Sequence, residues 1–399
     1  MVLWLQNCTK KVVKYILLFL LLQTGTIRLN SQPIPAAFST QEYIPLLKGK
    51  TIALVVNQTS TINQTHLVDT LLKLGVHIKH IFAPEHGFRG DHSAGAVVES
   101  GKDTKTGLPL ISLYGKNKKP SVEQMQGLDL VLFDIQDVGV RFYTYISTMH
   151  YVMEACAEQH IPLMILDRPN PNGNYIDGPV LKSGFSSFVG MHPVPIVHGL
   201  TVAELAQMIN GEGWLKNSVQ CELIIIKTKH YTHGTYYELP IAPSPNLPIQ
   251  LSVLYYPGLC LFEGTNVSLG RGTNKPFQLF GFPNWRDANY VFTPRSIPGV
   301  ADNPPFKNVE CVGYDLSDSS PLDIFKHKQL NINWLLIAYD AYLDKSKFFL
   351  PNLFFDKLVG TDELRKQIIA GKSASAIRES WQAELDAYKE MRKKYLLYD

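Results

Sequence analysis

Several apolar runs in this chain stop abruptly in charge. VHIKHIFA is followed by Pro84-Glu85 (76–85), LDLVLF by Asp134 and then Asp137 (128–137), and IPLMIL by Asp167-Arg168 (161–168). Each run is short and rich in β-branched and apolar residues and reads as a strand. In an open parallel sheet the carboxyl ends of the strands converge on one crevice, where ligands bind. Three separate stretches therefore aim carboxylates at one edge. Two opposed carboxylates are the minimum equipment for glycoside hydrolysis.

Helical patterns separate the strand runs. KTIALVVNQ (50–58) precedes HLVDTLLKLG (66–75), which has helical spacing and stops at Gly75. LPLISLYG (108–115) is a shorter third strand. YTYISTMHYVMEACAEQH (143–160) is a long helix, and TVAELAQMINGEGWL (201–215) is another, with Thr201 and Glu204 forming a capping box. CELIIIK (221–227) closes the series. This alternation specifies an α/β fold with a parallel sheet covered on both faces. No G-x-G-x-x-G joins the first strand to its helix, so a dinucleotide site is not expected. Residues 239–305 are dense in Pro, Gly and Asn and read as turns and long loops. The tail from 330 reads as helices over 334–343, 363–371 and 377–398. The expected division is a signal peptide over 1–30, one domain over 40–240 and a second over 241–399.

Charge excludes one class of partner. With 38 basic and 35 acidic residues the net charge is +3, and no basic stripe stands out, so nucleic acid is not expected. Lys10, Lys11 and Lys14 precede the apolar run YILLFLLL (15–22), which is far too short to span a bilayer. Basic flank and length fit a secretion signal, with a cut between about 23 and 32. The expected protein is secreted and periplasmic, with no stable membrane insertion after cleavage. Cys156, Cys221, Cys260 and Cys311 are widely separated, and neither they nor HGFRGDH (86–92), HPVPIVH (192–198) or His230 and His233 have metal-ligand spacing. No cofactor and no metal are expected.

Glu85 is the first candidate for a proton donor. It sits in APEHGFRG (83–90), held on short backbone directly after a strand; a general acid needs fixed geometry and an ionisation raised by burial. The alternative is a structural ion pair with Arg89. His86 is a second proton carrier or an orienting group. DIQDVGVRFYTY (134–145) offers Asp134, Asp137, Arg141 and Tyr143 as substrate contacts, although an Asp there equally serves as a cap. DRPNPNG (167–173) adds Asp167, Arg168 and Asn170, or is only a Pro-stiffened turn. FEGTNVSLGRGT (262–273) carries Glu263, Asn266 and Arg271 on a Gly-rich loop without the Lys-Ser/Thr ending of a P-loop. Asn57 ends the first strand.

These segments carry a resemblance. VVNQTS (55–60), FAPEHGFRGDHSAG (82–95), VLFDIQDVGVRFYTYISTM (131–149), LDRPNPNG (166–173), APSPNLP (242–248), FEGTNVSLGRGT (262–273) and KYLLYD (394–399) resemble the YbbC/NamZ-type exo-β-N-acetylmuramidases over nearly the whole chain. The resemblance implies a Rossmann-like parallel sheet, a second, smaller α/β domain and a cleft between them. It implies an exo-acting glycoside hydrolase that releases N-acetylmuramic acid from the non-reducing end of peptidoglycan fragments, with peptidoglycan-derived saccharides or muropeptides as its partners. The family's acidic candidate maps to Glu85; Asp134 is the orienting carboxylate if the sugar's acetamido group assists the reaction. The lactyl carboxylate calls for an Arg fork, and among Arg141, Arg168 and Arg271 the stiff DRPNP loop favours Arg168. A non-catalytic peptidoglycan-fragment binding protein is the alternative. A serine esterase would need a G-x-S-x-G elbow, which the sequence lacks. Since no ligand set has a recognisable spacing, glycosidase activity is expected to survive exhaustive chelation with EDTA. Loss restored by one added metal would contradict this.

Overall fold

The alternation of strand and helix becomes a doubly wound sheet. A computed structural model describes residues 32–85, 87–88 and 100–399. The strands are β1 (Thr51–Val56), a small hairpin of β2 (Thr61–Ile62) and β3 (Thr65–His66), β4 (His77–Ala83), β5 (Gly101–Lys102), β6 (Pro109–Ser112), β7 (Leu130–Asp134), β8 (Leu163–Leu166) and β9 (Leu223–Ile226). The central sheet runs β5-β6-β4-β1-β7-β8-β9. All its pairings are parallel except β5 with β6. Six strands thus follow the Rossmann order, with the switch point between β1 and β7.

Side-chain alternation explains why the sheet is covered twice. Ala53, Val55, Val131, Phe133, Leu163 and Ile165 enter one core cluster. Their neighbours Ile52, Leu54, Val56, Leu130, Leu132, Met164 and Leu166 enter another on the opposite face. The first cluster continues into Leu251, Phe262, Phe280, Trp381 and Tyr388, so the apolar core runs from the sheet into the C-terminal half. Thr201 and Glu204 form the expected capping box of helix Val202–Gly211.

The C-terminal half departs from expectation in three places, the first being a helix, Gln250–Leu259, inside the stretch expected as turns and loops. The Gly-rich stretch near 280 is not a turn. It contains β10 (Leu279–Phe282), which joins β11 (Tyr290–Phe292) and β12 (Cys311–Asp315) in an antiparallel sheet of order β10-β12-β11. Gly281 faces Gly313, and a Cβ on either would run into the opposite backbone, so these glycines permit close strand approach. The helix expected over 377–398 is two, Ala374–Ser380 and Gln382–Arg392. The break falls at Trp381, which is buried and donates its indole N–H to Asp177 Oδ1 at 3.2 Å.

Arg141 ties the two halves together. Its side chain is fully buried and donates to the carbonyls of Pro179 (2.8 Å), Val194 (2.6 Å), Leu358 (3.1 Å) and Val359 (2.5 Å). The last two are the open carbonyls at the end of helix Phe354–Val359, where a cation is favoured. Gly360, at φ +80°, follows, and a Cβ there would sit 2.6 Å from Arg141 Nη2. Arg141→Met should lower unfolding free energy by at least about 4 kcal/mol, since buried carbonyls that lose a donor cost roughly 1–3 kcal/mol each. Arg141→Lys should recover little of this, because one ammonium cannot reach four acceptors on separate segments. Denaturant midpoints check both.

Candidate functional site

The carboxyl edge of the sheet opens onto a cavity of about 810 Å³, a size suited to a small saccharide. One wall comes from the strand ends: Glu85 after β4, Tyr114 after β6, and Tyr143–Tyr145 after β7. The other comes from 244–247, 260–271 and 300–306, with Phe354 and Leu358 behind.

Glu85 is the carboxylate held most directly at the strand edge. It accepts a hydrogen bond from Thr144 Oγ1 at 2.6 Å, the residue preceding helix Tyr145–Glu158. The Tyr114 phenol lies against it. Burial, then the Glu85 charge and their hydrogen bond, push ionisation of that phenol well up, so Tyr114 stays a neutral donor at any working pH. The facing wall is clamped to this edge through one carbonyl. Pro243 O accepts from Gln58 Nε2 at 3.0 Å, Tyr143 OH at 2.9 Å and Tyr145 OH at 3.2 Å. The two tyrosine rings meet edge to face at 4.9 Å. This holds Ser244 and Asn246 in the cavity wall. Asn246 is 2% exposed and donates Nδ2 to Val300 O at 2.7 Å, while its Oδ1 has no hydrogen-bond partner among the described residues.

Glu263 and Arg271 form the charged part of the far wall. Arg271 donates Nη2 (2.5 Å) and Nε (3.2 Å) to Glu263 Oε1, and its guanidinium lies 4.9 Å from the Phe277 ring centroid. Burial alone would lower the Arg271 ionisation, but the neighbouring Glu263 carboxylate outweighs it and holds the cation above its usual value. Among the described residues no group of three His, Cys, Asp or Glu is placed to hold a metal ion.

Two family models cover this framework. The N-terminal model of exo-β-N-acetylmuramidase NamZ matches residues 52–250, and the C-terminal model matches 254–398. The peptidoglycan β-N-acetylmuramidase NamZ of Bacillus subtilis (strain 168) is 41% identical over 381 residues, covering 90% of this chain and 89% of that protein. The chain belongs to the NamZ family. Two crystal structures of DUF1343 family proteins from Bacteroides fragilis share its fold. One is 49% identical with a TM-score of 0.86, the other 29% identical with a TM-score of 0.73, and each comparison covers 92% of this chain and 99% of that one.

Within this NamZ framework the cavity gathers Glu85, Tyr143, Glu263, Asn266 and Arg271 from the residues singled out by sequence. His86 and Arg89 lie outside the described residues. The others do not line the cavity. Asp134 and Arg168 consume each other in a buried bidentate pair at 2.5 and 2.9 Å. Arg168, favoured from its stiff loop, is thereby removed as a substrate fork, and Asp134 as an orienting carboxylate in the cleft. Arg141 is spent on carbonyls, as described. Asp167 accepts from Ala203 N at 3.1 Å and Tyr398 OH at 2.7 Å, capping one helix and docking the chain end. Asn170 and Asn172 brace their own turn through a 2.8 Å bond from Asn172 N to Asn170 Oδ1. Asn57 folds into a local turn with Thr59, whose N–H and hydroxyl it accepts at 2.9 and 2.6 Å.

The sequence reading passed over Tyr114, Thr144, Ser244 and Asn246. Each sits one to three residues beyond, or inside, a motif that was noticed, but as a loop hydroxyl or turn former it carried no distinguishing pattern.

Asp137 sits just behind Tyr143. It is buried, its Oδ2 accepts from Gly139 N at 2.6 Å, and its Oδ1 has no hydrogen-bond partner among the described residues. Burial, opposed by the Gly139 and Val138 amides, raises its pKa from 3.8 to about 7. The folded value lies above the unfolded one, so its contribution to stability is full below about pH 4 and is lost as pH rises through about 7. Asp137→Asn keeps an acceptor for Gly139 and lacks that titration. Relative to the wild type it should gain stability between pH 4 and 8, by up to about 4 kcal/mol. Chemical denaturation at both pH values reads the difference directly.

Proposed function

We propose that this protein is an exo-acting β-N-acetylmuramidase that removes N-acetylmuramic acid from the non-reducing end of peptidoglycan-derived saccharides, with Glu85 as proton donor to the leaving oxygen. The observation that carries the reading is Glu85 itself. It is a strand-end carboxylate facing a sugar-sized cavity, fixed by Thr144 and bordered by a Tyr114 phenol that stays neutral. A module that only bound saccharides would need no acid held in this way. The identity to the Bacillus subtilis enzyme supports the same chemistry.

Glycosidic oxygen is a poor leaving group until it is protonated, so the donor must sit at a fixed place against the scissile bond. Thr144 and Tyr114 converge on Glu85 from two separate strand ends, which limits its rotamers. Tyrosine, phenylalanine and proline side chains give the cavity apolar surface against which a sugar face can pack. The proposed place of action is outside the cytoplasm, in the periplasm, because peptidoglycan lies there and the basic-apolar N-terminus fits a secretion signal.

Glu85→Gln should fold normally and bind sugar but lose about 10²–10⁴-fold in kcat on a glycoside with a poor leaving group. A 4-nitrophenyl or other activated glycoside, which needs less proton donation, should lose markedly less. Turnover of the poor-leaving-group substrate at the wild-type rate would overturn the assignment. Sugar binding with no turnover by the wild type would mark the protein as a binding module instead.

A further inference from the structure

We infer that Arg271 selects the muramic over the glucosamine sugar by receiving the ionised lactyl carboxylate on the free end of its guanidinium fork; this rests on the glycosidase reading above. N-acetylmuramic acid differs from N-acetylglucosamine by a lactyl ether whose carboxylate is charged at neutral pH. The cavity it enters is lined, among the described residues, by the acids Glu85, Glu263 and Asp302 and by one cation, Arg271. Among the described lining residues, Arg271 is the one that offers a carboxylate an opposite charge. The two other arginines considered from sequence are buried and do not line this cavity: Arg168 is paired with Asp134, and Arg141 donates to four carbonyls.

The Arg271 fork has one edge occupied and one open. A guanidinium carries five N–H donors in a rigid plane. Nε and Nη2, which share the side edge, both donate to Glu263 Oε1, and Nη1 meets no acceptor among the described residues. The end edge, made of Nη1 and the second Nη2 hydrogen, is the geometry a carboxylate takes bidentately. Glu263 therefore orients the fork without filling it. The Arg271 and Glu263 side chains are 19% and 26% exposed, so both are reachable from the cavity and the Glu263 charge is partly screened.

The backbone beneath is equally constrained. Gly270 and Gly272 flank Arg271 at φ +71° and +78°. A Cβ on Gly270 would lie 2.7 Å from Lys275 O, and one on Gly272 would lie 2.6 Å from Pro304 Cγ. The turn accepts only glycine on both sides, which fixes the point from which the arginine projects. With the Phe277 ring against the guanidinium, the fork is held in place before any ligand arrives.

The test compares N-acetylmuramic acid with its lactyl carboxamide, which has the same shape without the charge. Calorimetric binding of the two sugars is measured on the wild type, Arg271→Ala and Arg271→Lys, alongside kcat/KM on the corresponding 4-nitrophenyl β-glycosides. Arg271→Ala should weaken the acid by about ten- to a hundredfold and the carboxamide at least tenfold less. Arg271→Lys should restore part of the acid preference, since it keeps the charge but not the fork. Equal losses on acid and carboxamide would overturn the inference. Should the alanine variant fail to fold, the lysine variant decides on the same pair, because a role in loop packing alone would leave its acid-to-amide ratio at the wild-type value. The binding arm reads the clamp independently of turnover, so a wild type that binds the acid selectively yet cleaves nothing would sink the glycosidase reading and leave the clamp standing.

Discussion

A guanidinium buried with no carboxylate partner among the described residues holds this molecule's two walls in register. Arg141 replaces the missing counter-ion with four carbonyl dipoles, two from the 179–194 stretch and two from the end of helix Phe354–Val359. A buried cation is costly to leave unsatisfied, so the segments that satisfy it cannot drift apart without exposing that cost. Phe354 and Leu358 of the same helix line the cavity. The position of the rear wall is thus tied to the strand-end loop that also supplies Tyr143 and Thr144.

The second constraint is the switch point of the sheet. Strands leave β1 toward β4 on one side and toward β7 on the other, so the loops after them part and leave a crevice. The 242–247 segment bridges this edge, and its grip is concentrated on the Pro243 carbonyl, which receives three donors. A carbonyl has two lone pairs, so the three donors share its acceptor capacity and converge on one point. Gln58 comes from beyond β1 and the two tyrosines from beyond β7. One acceptor therefore locks both sides of the switch point to the opposite wall.

Periodicity made the sheet and its covering helices legible in the sequence, since runs such as LVLFD and LMIL are buried on both faces. Trp381 and the Gly281–Gly313 contact were not legible. A helical pattern does not say that an indole will be drawn inward to Asp177, and a glycine in a strand looks like a glycine in a turn. Of the residues that line the cavity, Glu85, Tyr143, Glu263, Asn266 and Arg271 were legible. Arg141, Arg168 and Arg271 looked alike because each follows an apolar or Gly-rich stretch near the expected edge. What separates them is the acceptors they meet: four carbonyls, a bidentate Asp134, and one oxygen of Glu263. The partners of Arg168 and Arg141 lie far off in sequence, 34 positions for Asp134 and up to 218 for Val359, so no local pattern reports them, whereas Glu263 lies eight positions from Arg271 within one motif.

The proposed acid and the proposed clamp come from opposite walls, and this sets a requirement on the fold. Glu85 belongs to the region matched by the N-terminal family model and Arg271 to that matched by the C-terminal one. The sugar's lactyl group and its glycosidic oxygen are fixed relative to one another by the pyranose ring, so the two protein groups must be fixed relative to one another as well. A misplacement of about 1 Å is enough to lose two orders of magnitude in rate. Neither loop could supply that accuracy from its own turns. It has to come from contacts that cross the chain, and the structure provides them as buried polar bonds, the Arg141 carbonyls behind the cavity and the Pro243 carbonyl beside it. Such bonds add direction to the apolar core, which by itself would tolerate sliding.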